Sequence, residues 1–233
     1  MKKSMLFFLC LFSLFRCHPV EAIENNKIIA NDIGVQLYEL LNHPSSLKVV
    51  VDNGIVWVDA IGSEMDGVKV ASIKIRAKLK KGVVVYNKEN PGESIESSEG
   101  EIVLLEKDVN DYFSKEETTK GFSDLKFNFS SSGFTAVGNY TAEFLLNFII
   151  RLSATGKLGL EKDGVYLKET SLALQGMSAS DAISQMIVNK LNPLLTFKKI
   201  PFPVTFNKII MSDSSAIMTA NPKPLLGGSI WTK

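Results

Sequence analysis

The sequence predicts a β-rich α+β fold in which an extended, one-sided sheet faces amphipathic helices. Three observations carry this expectation. Every even-numbered residue from Phe134 to Leu160 is apolar or small, among them Tyr140, Phe144, Leu146, Phe148, Ile150 and Leu152. The odd positions between them are mostly polar (Thr135, Asn139, Thr141, Glu143, Arg151, Lys157), with Val137, Leu145 and Ile149 as exceptions. A period of two marks a strand with one apolar and one wet face. Second, Ala71, Ile73, Ile75, Ala77 and Leu79 alternate strictly with Ser72, Lys74, Arg76, Lys78 and Lys80. Third, two segments repeat apolar residues at helical spacing, one near residue 30 and one after Ser178. A single strand covering 134–160 would far exceed the usual length of roughly 3–10 residues. The segment is therefore either one very long bent strand or strands joined by turns that preserve the parity.

The chain opens with the pattern of an export signal. Lys2 and Lys3 precede an apolar stretch, Met5 to Phe15, and Val20-Glu21-Ala22 suits cleavage after Ala22. The apolar stretch is too short to span a bilayer, which takes ~20 residues. A lipoprotein anchor at Cys17 is the alternative, but Leu14-Phe15-Arg16 fits it poorly. The expected organisation is a signal peptide over 1–22, a single domain over 23–220 and a C-terminal tail over 221–233. The expected location is periplasmic or extracellular. Cleavage would remove Cys10, Cys17 and His18, leaving no cysteine and His43 as the sole histidine. Disulfides and thiolate chemistry are then excluded. The 26 basic and 25 acidic residues fall to 23 and 24 without Lys2, Lys3, Arg16 and Glu21. A charge near zero argues against nucleic acid as a partner.

Taken in order, Ile28, Ile29, Ile33, Leu37, Leu40 and Leu41 predict an N-terminal helix ended by His43-Pro44. Strands follow over Leu47–Val51 and Ile55–Ile61, with Asp66-Gly67 as a hairpin turn before the 71–80 strand. Lys81-Gly82 turns the chain into a strand over Val83–Tyr86. Asn87 to Gly100, with Pro91-Gly92 and many serines and glutamates, reads as a polar loop or insertion. Glu106 to Phe113 predicts a short helix, and Leu125, Phe127 and Phe129 a strand. After the long apolar-faced segment, Asp163-Gly164 predicts a hairpin turn returning through Val165–Leu174. Ser178 and Asp181 form a capping-box pattern opening a helix whose stripe is Ala179, Ala182, Ile183, Met186, Ile187, Leu191 and Leu194. A last strand pair over Val204–Ala220 turns near Asp213-Ser214-Ser215.

From Glu101 to Ala220 the chain resembles the bacterial LmeA-like phospholipid-binding domain family. The matching features are the acidic helix Glu106-Lys107-Asp108-Val109-Asn110, the strand Gly156 to Leu160 with its Asp-Gly turn, the helix end Leu191-Asn192-Pro193-Leu194, and Pro201-Phe202-Pro203-Val204 before the last strand pair. No single piece is specific; their order and spacing carry the likeness. The resemblance implies a tubular lipid-binding-like fold, a long twisted antiparallel sheet wrapped around helices, with an apolar groove for acyl chains. The polar stretch 87–100 and the basic strand depart from it.

An acyl chain needs a dry concave wall with a few polar groups at its mouth. The sequence offers Tyr140, Phe144, Leu146, Phe148 and Ile150 on the sheet, and Ile183, Met186, Ile187 and Leu191 on the helix, as a lipid groove. The same periodicity also describes an ordinary core. Lys74, Arg76, Lys78 and Lys80 project from one strand face and would suit anionic headgroups or an anionic membrane surface, at ~1 kcal/mol per cation. The plainer reading is a solvated face neutralised by Glu93, Glu96, Glu99 or Glu101.

Catalysis is not expected. His43 alone cannot supply a triad's base beside a nucleophile, and no Gly-x-Ser-x-Gly elbow occurs. Ala154-Thr155-Gly156-Lys157 lacks the remaining residues of a phosphate loop. No calcium-loop spacing is present, and no metal or cofactor is expected. The function expected is binding of a phospholipid or other long-chain apolar ligand in the cell envelope. The alternative is an envelope structural or interaction protein with a filled core. A small outer-membrane barrel fits poorly with the Lys74–Lys80 row.

Overall fold

A computed structural model of the chain describes residues 19–115, 121–143 and 147–233. The export pattern falls largely on residues 1–18, outside the described residues. Helix α1 (Pro19–Leu40) leads into a three-strand meander, β1 (Ser46–Asp52), β2 (Ile55–Met65) and β3 (Val68–Leu79). A single helical turn, α2 (Pro91–Ser94), precedes β4 (Ile95–Leu105). Helix α3 (Glu106–Phe113) passes to β5 (Phe122–Ser130), β6 (Gly133–Glu143), β7 (Asn147–Glu161), β8 (Gly164–Leu174) and the short β9 (Met177–Ser178). Helix α4 (Asp181–Leu191), β10 (Leu195–Thr196), β11 (Lys208–Met211), β12 (Ser215–Thr219) and β13 (Ser229–Thr232) complete the order.

The strands form two antiparallel sheets. The first runs β11-β12-β4-β3-β2-β1-β13; the second runs β10-β8-β7-β6-β5, with β9 also on β8. The fold is thus β-rich α+β. The period-two segment is a hairpin, β6 and β7, paired from Phe134↔Gly156 to Glu143↔Asn147. Even numbers face even numbers across it, so the parity survives the reversal.

Inner-face residues of the first sheet (Val49, Val58, Ile75, Ile102, Met218) are fully buried. Helix α1 lies on β1 and β13 and buries Ile29, Ile33 and Leu37, with Leu41 just past its end buried as well. Gly34 makes that approach close: a Cβ there would sit 2.3 Å from the Trp231 ring. Helix α3 packs on β5, β3 and β4 and buries Val109 and Phe113, so it is held between the sheets. Helix α4 packs on β8.

Five expectations need correction. Ile95 to Gly100 is strand, not loop: β4 hydrogen-bonds β3, with Lys74↔Glu101 and Arg76↔Glu99 in register. Its inner face is disguised because Ser98 and Gly100 occupy core positions. A Cβ on Gly100 would lie 2.5 Å from Val204 and 2.7 Å from Phe206, which fill that space instead. Residues 221–233 are not a free tail, since β13 pairs with β1 and Trp231 meets Gly34. Val83 to Tyr86 is irregular rather than strand, with Tyr86 buried and donating to Gln36 Oε1 at 3.0 Å. The N-cap of α4 is Ser180 rather than Ser178, and the helix ends at Leu191. The β7–β8 turn sits one residue early, pairing Glu161 with Gly164.

Candidate functional site

The groove expected between the second sheet and α4 is closed. Ile187, Val188 and Leu191 face Leu125, Phe127, Phe134, Ala136, Leu152 and Leu172 across a cavity of about 10 Å³. That is room for about one water-sized probe. Ile187 is 2% exposed and Tyr140 8% exposed. Toward the solvent edge the apolar surface opens instead. Ile183 is 41%, Met186 52% and Phe148 55% exposed. Ile150 and Leu191 are half-buried. Phe144 and Leu146 lie outside the described residues. The expected groove residues therefore divide into a filled interior and an open apolar rim.

Lys190 couples the two parts. One helical turn beyond Met186, its Nζ donates to Tyr140 Oη at 2.8 Å and lies 5.0 Å from that ring's centre. The Tyr140 ring in turn packs on Phe122 at 5.1 Å. The far end of α4 is fixed by Asn192. Its Oδ1 accepts from the Leu167 amide at 2.8 Å, and its Nδ2 donates to the Leu167 carbonyl at 3.2 Å. One side chain thus imitates a neighbouring strand. Asn110 does the same for α3, accepting from Phe127 N at 2.7 Å and donating to Phe127 O at 2.9 Å.

The basic row of β3 is occupied by intramolecular partners. Lys74 pairs with Glu101 at 3.1 Å and Lys78 with Glu96 at 2.9 Å. Arg76 donates to the Lys223 carbonyl at 2.8 Å and Lys80 to the Gly92 carbonyl at 3.3 Å. Asn221, Pro222, Pro224 and Leu225 lie over this outer face, beside Trp57. The acidic residues that neutralise the row are cross-strand neighbours, as sheet geometry favours.

A larger concavity lies elsewhere. Leu160 at the end of β7, the β7–β8 turn and the segment 197–206 enclose an open cleft of about 750 Å³. Its wall is apolar: Phe197 and Phe206 meet at 4.8 Å between ring centres, beside Ile200, Phe202 and Val204. Glu161, Lys162, Asp163 and Lys198 stand at its rim. Thr205 anchors the segment to β4, its amide donating to Ser98 O at 3.0 Å and its carbonyl accepting from Gly100 N at 3.1 Å. Sequence reasoning missed this cleft. The available signal was three phenylalanines, Phe197, Phe202 and Phe206, interleaved with Pro201 and Pro203 in a segment without strand alternation.

Titratable groups add little chemistry. Burial pushes the Asp108 carboxyl up, with Lys107 opposing and Asp111 reinforcing the shift. Burial raises the Tyr86 hydroxyl as well. His43 is exposed, pairs with Glu39 at 3.2 Å and meets the Tyr38 ring edge-on at 4.9 Å. Among the described residues no cluster of His, Cys, Asp and Glu is placed to hold a metal ion. Among them, too, no helix is long and apolar enough to cross a membrane. No protein-family model matches the chain, and neither a curated protein nor a solved structure matches it.

Proposed function

We infer that the protein is an exported envelope protein that binds a phospholipid or another long-chain apolar molecule without chemical conversion. The observation that carries this reading is the 750 Å³ cleft walled by Leu160, Phe197, Ile200, Val204 and Phe206. Its volume falls within the roughly 300–1,000 Å³ of typical ligand sites, and its composition matches theirs: apolar walls with a few polar groups at the mouth. Each methylene removed from water there contributes ~0.8 kcal/mol. Lys162 and Lys198 at the rim would orient an anionic headgroup. The ligand site is thereby assigned to the cleft rather than to the α4 seam, which the chain's own side chains fill.

Native mass spectrometry of the protein purified without detergent from an exporting host, with organic extraction of bound material, tests this directly. The expected result is a lipid adduct that Phe206→Glu and Leu160→Glu eliminate and Met186→Glu retains. Loss of the adduct in Met186→Glu alone returns the site to the α4 seam. A bare mass that takes up no added phospholipid favours the second reading, a filled-core interaction protein, which the closed α4 seam independently supports.

A further inference from the structure

The charged residues around the mouth of the cleft are not equivalent. Glu161 forms an ion pair with Lys168, and Asp163 accepts from Tyr166 Oη at 3.1 and 3.2 Å. Tyr166 and Lys168 line a separate hollow against α4, not the cleft. Both rim carboxylates are therefore engaged from that side. Lys162 and Lys198 are exposed, and neither has a hydrogen-bond or ion-pair partner among the described residues.

Backbone pairing brings these two cations to one place. Strand β10 runs antiparallel to β8 with Thr196 opposite Gly164, and the Phe197 amide donates to the Asp163 carbonyl at 2.9 Å. Lys162 and Lys198 each stand one residue beyond that bond, on the side away from the β10–β8 pair. They therefore share one end of the cleft wall. Like charges set close on neighbouring chains repel. An anion between them removes that repulsion and supplies both ammonium groups with an acceptor.

The space behind the lysines limits what such an anion can carry. The cleft holds about 750 Å³. At about 30 Å³ per methylene, close to a liquid water's share, a chain of about 16 carbons fills ~480 Å³. Two such chains fill ~960 Å³, more than the cleft holds before any headgroup is counted. A second chain would lie outside in water and gain none of the burial that drives uptake.

We propose that the cleft takes a single-chain anionic amphiphile, its acyl chain against Leu160, Phe197, Ile200 and Phe206 and its carboxylate or phosphate between Lys162 and Lys198. This rests on the cleft being the ligand site and narrows its ligand to one chain and one charged head. Fatty-acid anions and lysophospholipids share that chemistry.

The test loads the delipidated protein separately with palmitate, palmitoyl lysophosphatidylglycerol, monopalmitoylglycerol and dipalmitoyl phosphatidylglycerol. Occupancy below saturation is read by native mass spectrometry. One equivalent of either single-chain anion is expected. Uncharged monopalmitoylglycerol should bind about fivefold less tightly, and the two-chain lipid at least about tenfold less tightly. Lys162→Gln combined with Lys198→Gln should weaken both anions about fivefold and leave monopalmitoylglycerol unchanged. Hydrogen exchange should slow over 197–206 on loading, which locates the ligand without any variant. Uptake of palmitate alone, or of the lysophospholipid alone, sustains the proposal and fixes the head as carboxylate or phosphate. Dipalmitoyl phosphatidylglycerol binding as tightly as the lysophospholipid overturns the single chain and leaves the cleft reading intact. Anion uptake equal to that of monopalmitoylglycerol, or untouched by the double variant, overturns the role of the lysine pair. Failure of all four lipids, or protection confined to residues outside 197–206, removes the cleft reading itself and this proposal with it.

Discussion

Helices α3 and α4 are fastened to the second sheet in the same way, yet they differ in how completely they are buried. Asn110 within α3 and Asn192 capping the end of α4 each close two amide hydrogen bonds with a single strand residue. Helix α3 lies between the sheets and hides Val109 and Phe113. Helix α4 has sheet on one side only and leaves Ile183 and Met186 in solvent. The clamp fixes where a helix sits; the number of neighbouring layers decides how much of its apolar stripe is covered. A stripe wider than its contact face is thus a local consequence of one-sided packing.

The largest break in the comparison should come from Phe113→Ala. Loss of a buried aromatic from a two-sided seat is expected to cost about 3–5 kcal/mol, read from urea denaturation. Asn110→Ala and Asn192→Ala should follow at about 1–3 kcal/mol each, because each leaves an amide and a carbonyl without their partner. Equal losses would show that the clamps act alike under different burial. A negligible loss at Asn192 would mean that α4 is held by packing alone. Ile183→Ser and Met186→Ser should then change stability by no more than about 0.5 kcal/mol. A cost several times larger at either position would place α4 in a two-sided seat after all.

The smallest effect concerns pH. Asp108 on α3 has its carboxyl raised, chiefly by burial. The folded state therefore favours the protonated form. That contribution is present below the ordinary carboxylate range and is lost as pH rises through the raised value. Asp108→Asn should accordingly be more stable than the parent near neutral pH, with the gain vanishing in acid. A constant difference across that range would show that ionisation of Asp108 is not the cause.

Much of the second sheet was legible because its chemistry is simple. The parity of residues 134–160, the α3 boundaries and the alternation of Leu125, Phe127 and Phe129 all follow from one buried face per element. The first sheet was harder. Strand β4 hides its core positions in Ser98 and Gly100, and its glutamates satisfy lysines that only register brings near. Strand β13 is four residues long and follows prolines and glycines, so nothing local distinguishes it from a tail. The buried face of β2 and β3 also changes sides near Gly62, from Ala60 and Ile73 to Ser63 and Val70. A single alternation rule cannot survive such a switch. The expected groove combined residues that share a periodicity but not a depth, and periodicity carries no information about depth.

The meeting of Gly34 with Trp231 has a consequence in time. Part of the floor under α1 is made by β13, and Ser229 reaches back to the Ile23 carbonyl across 206 residues of sequence. As the chain leaves the ribosome, its first helix has an incomplete seat until these late residues emerge. Helix α1 can therefore lock into its full seat only after β13 has been made. The seating of α1 is thus a late event, whereas the β1–β2–β3 meander and the β6–β7–β8 strands pair with near neighbours in sequence and need not wait for it.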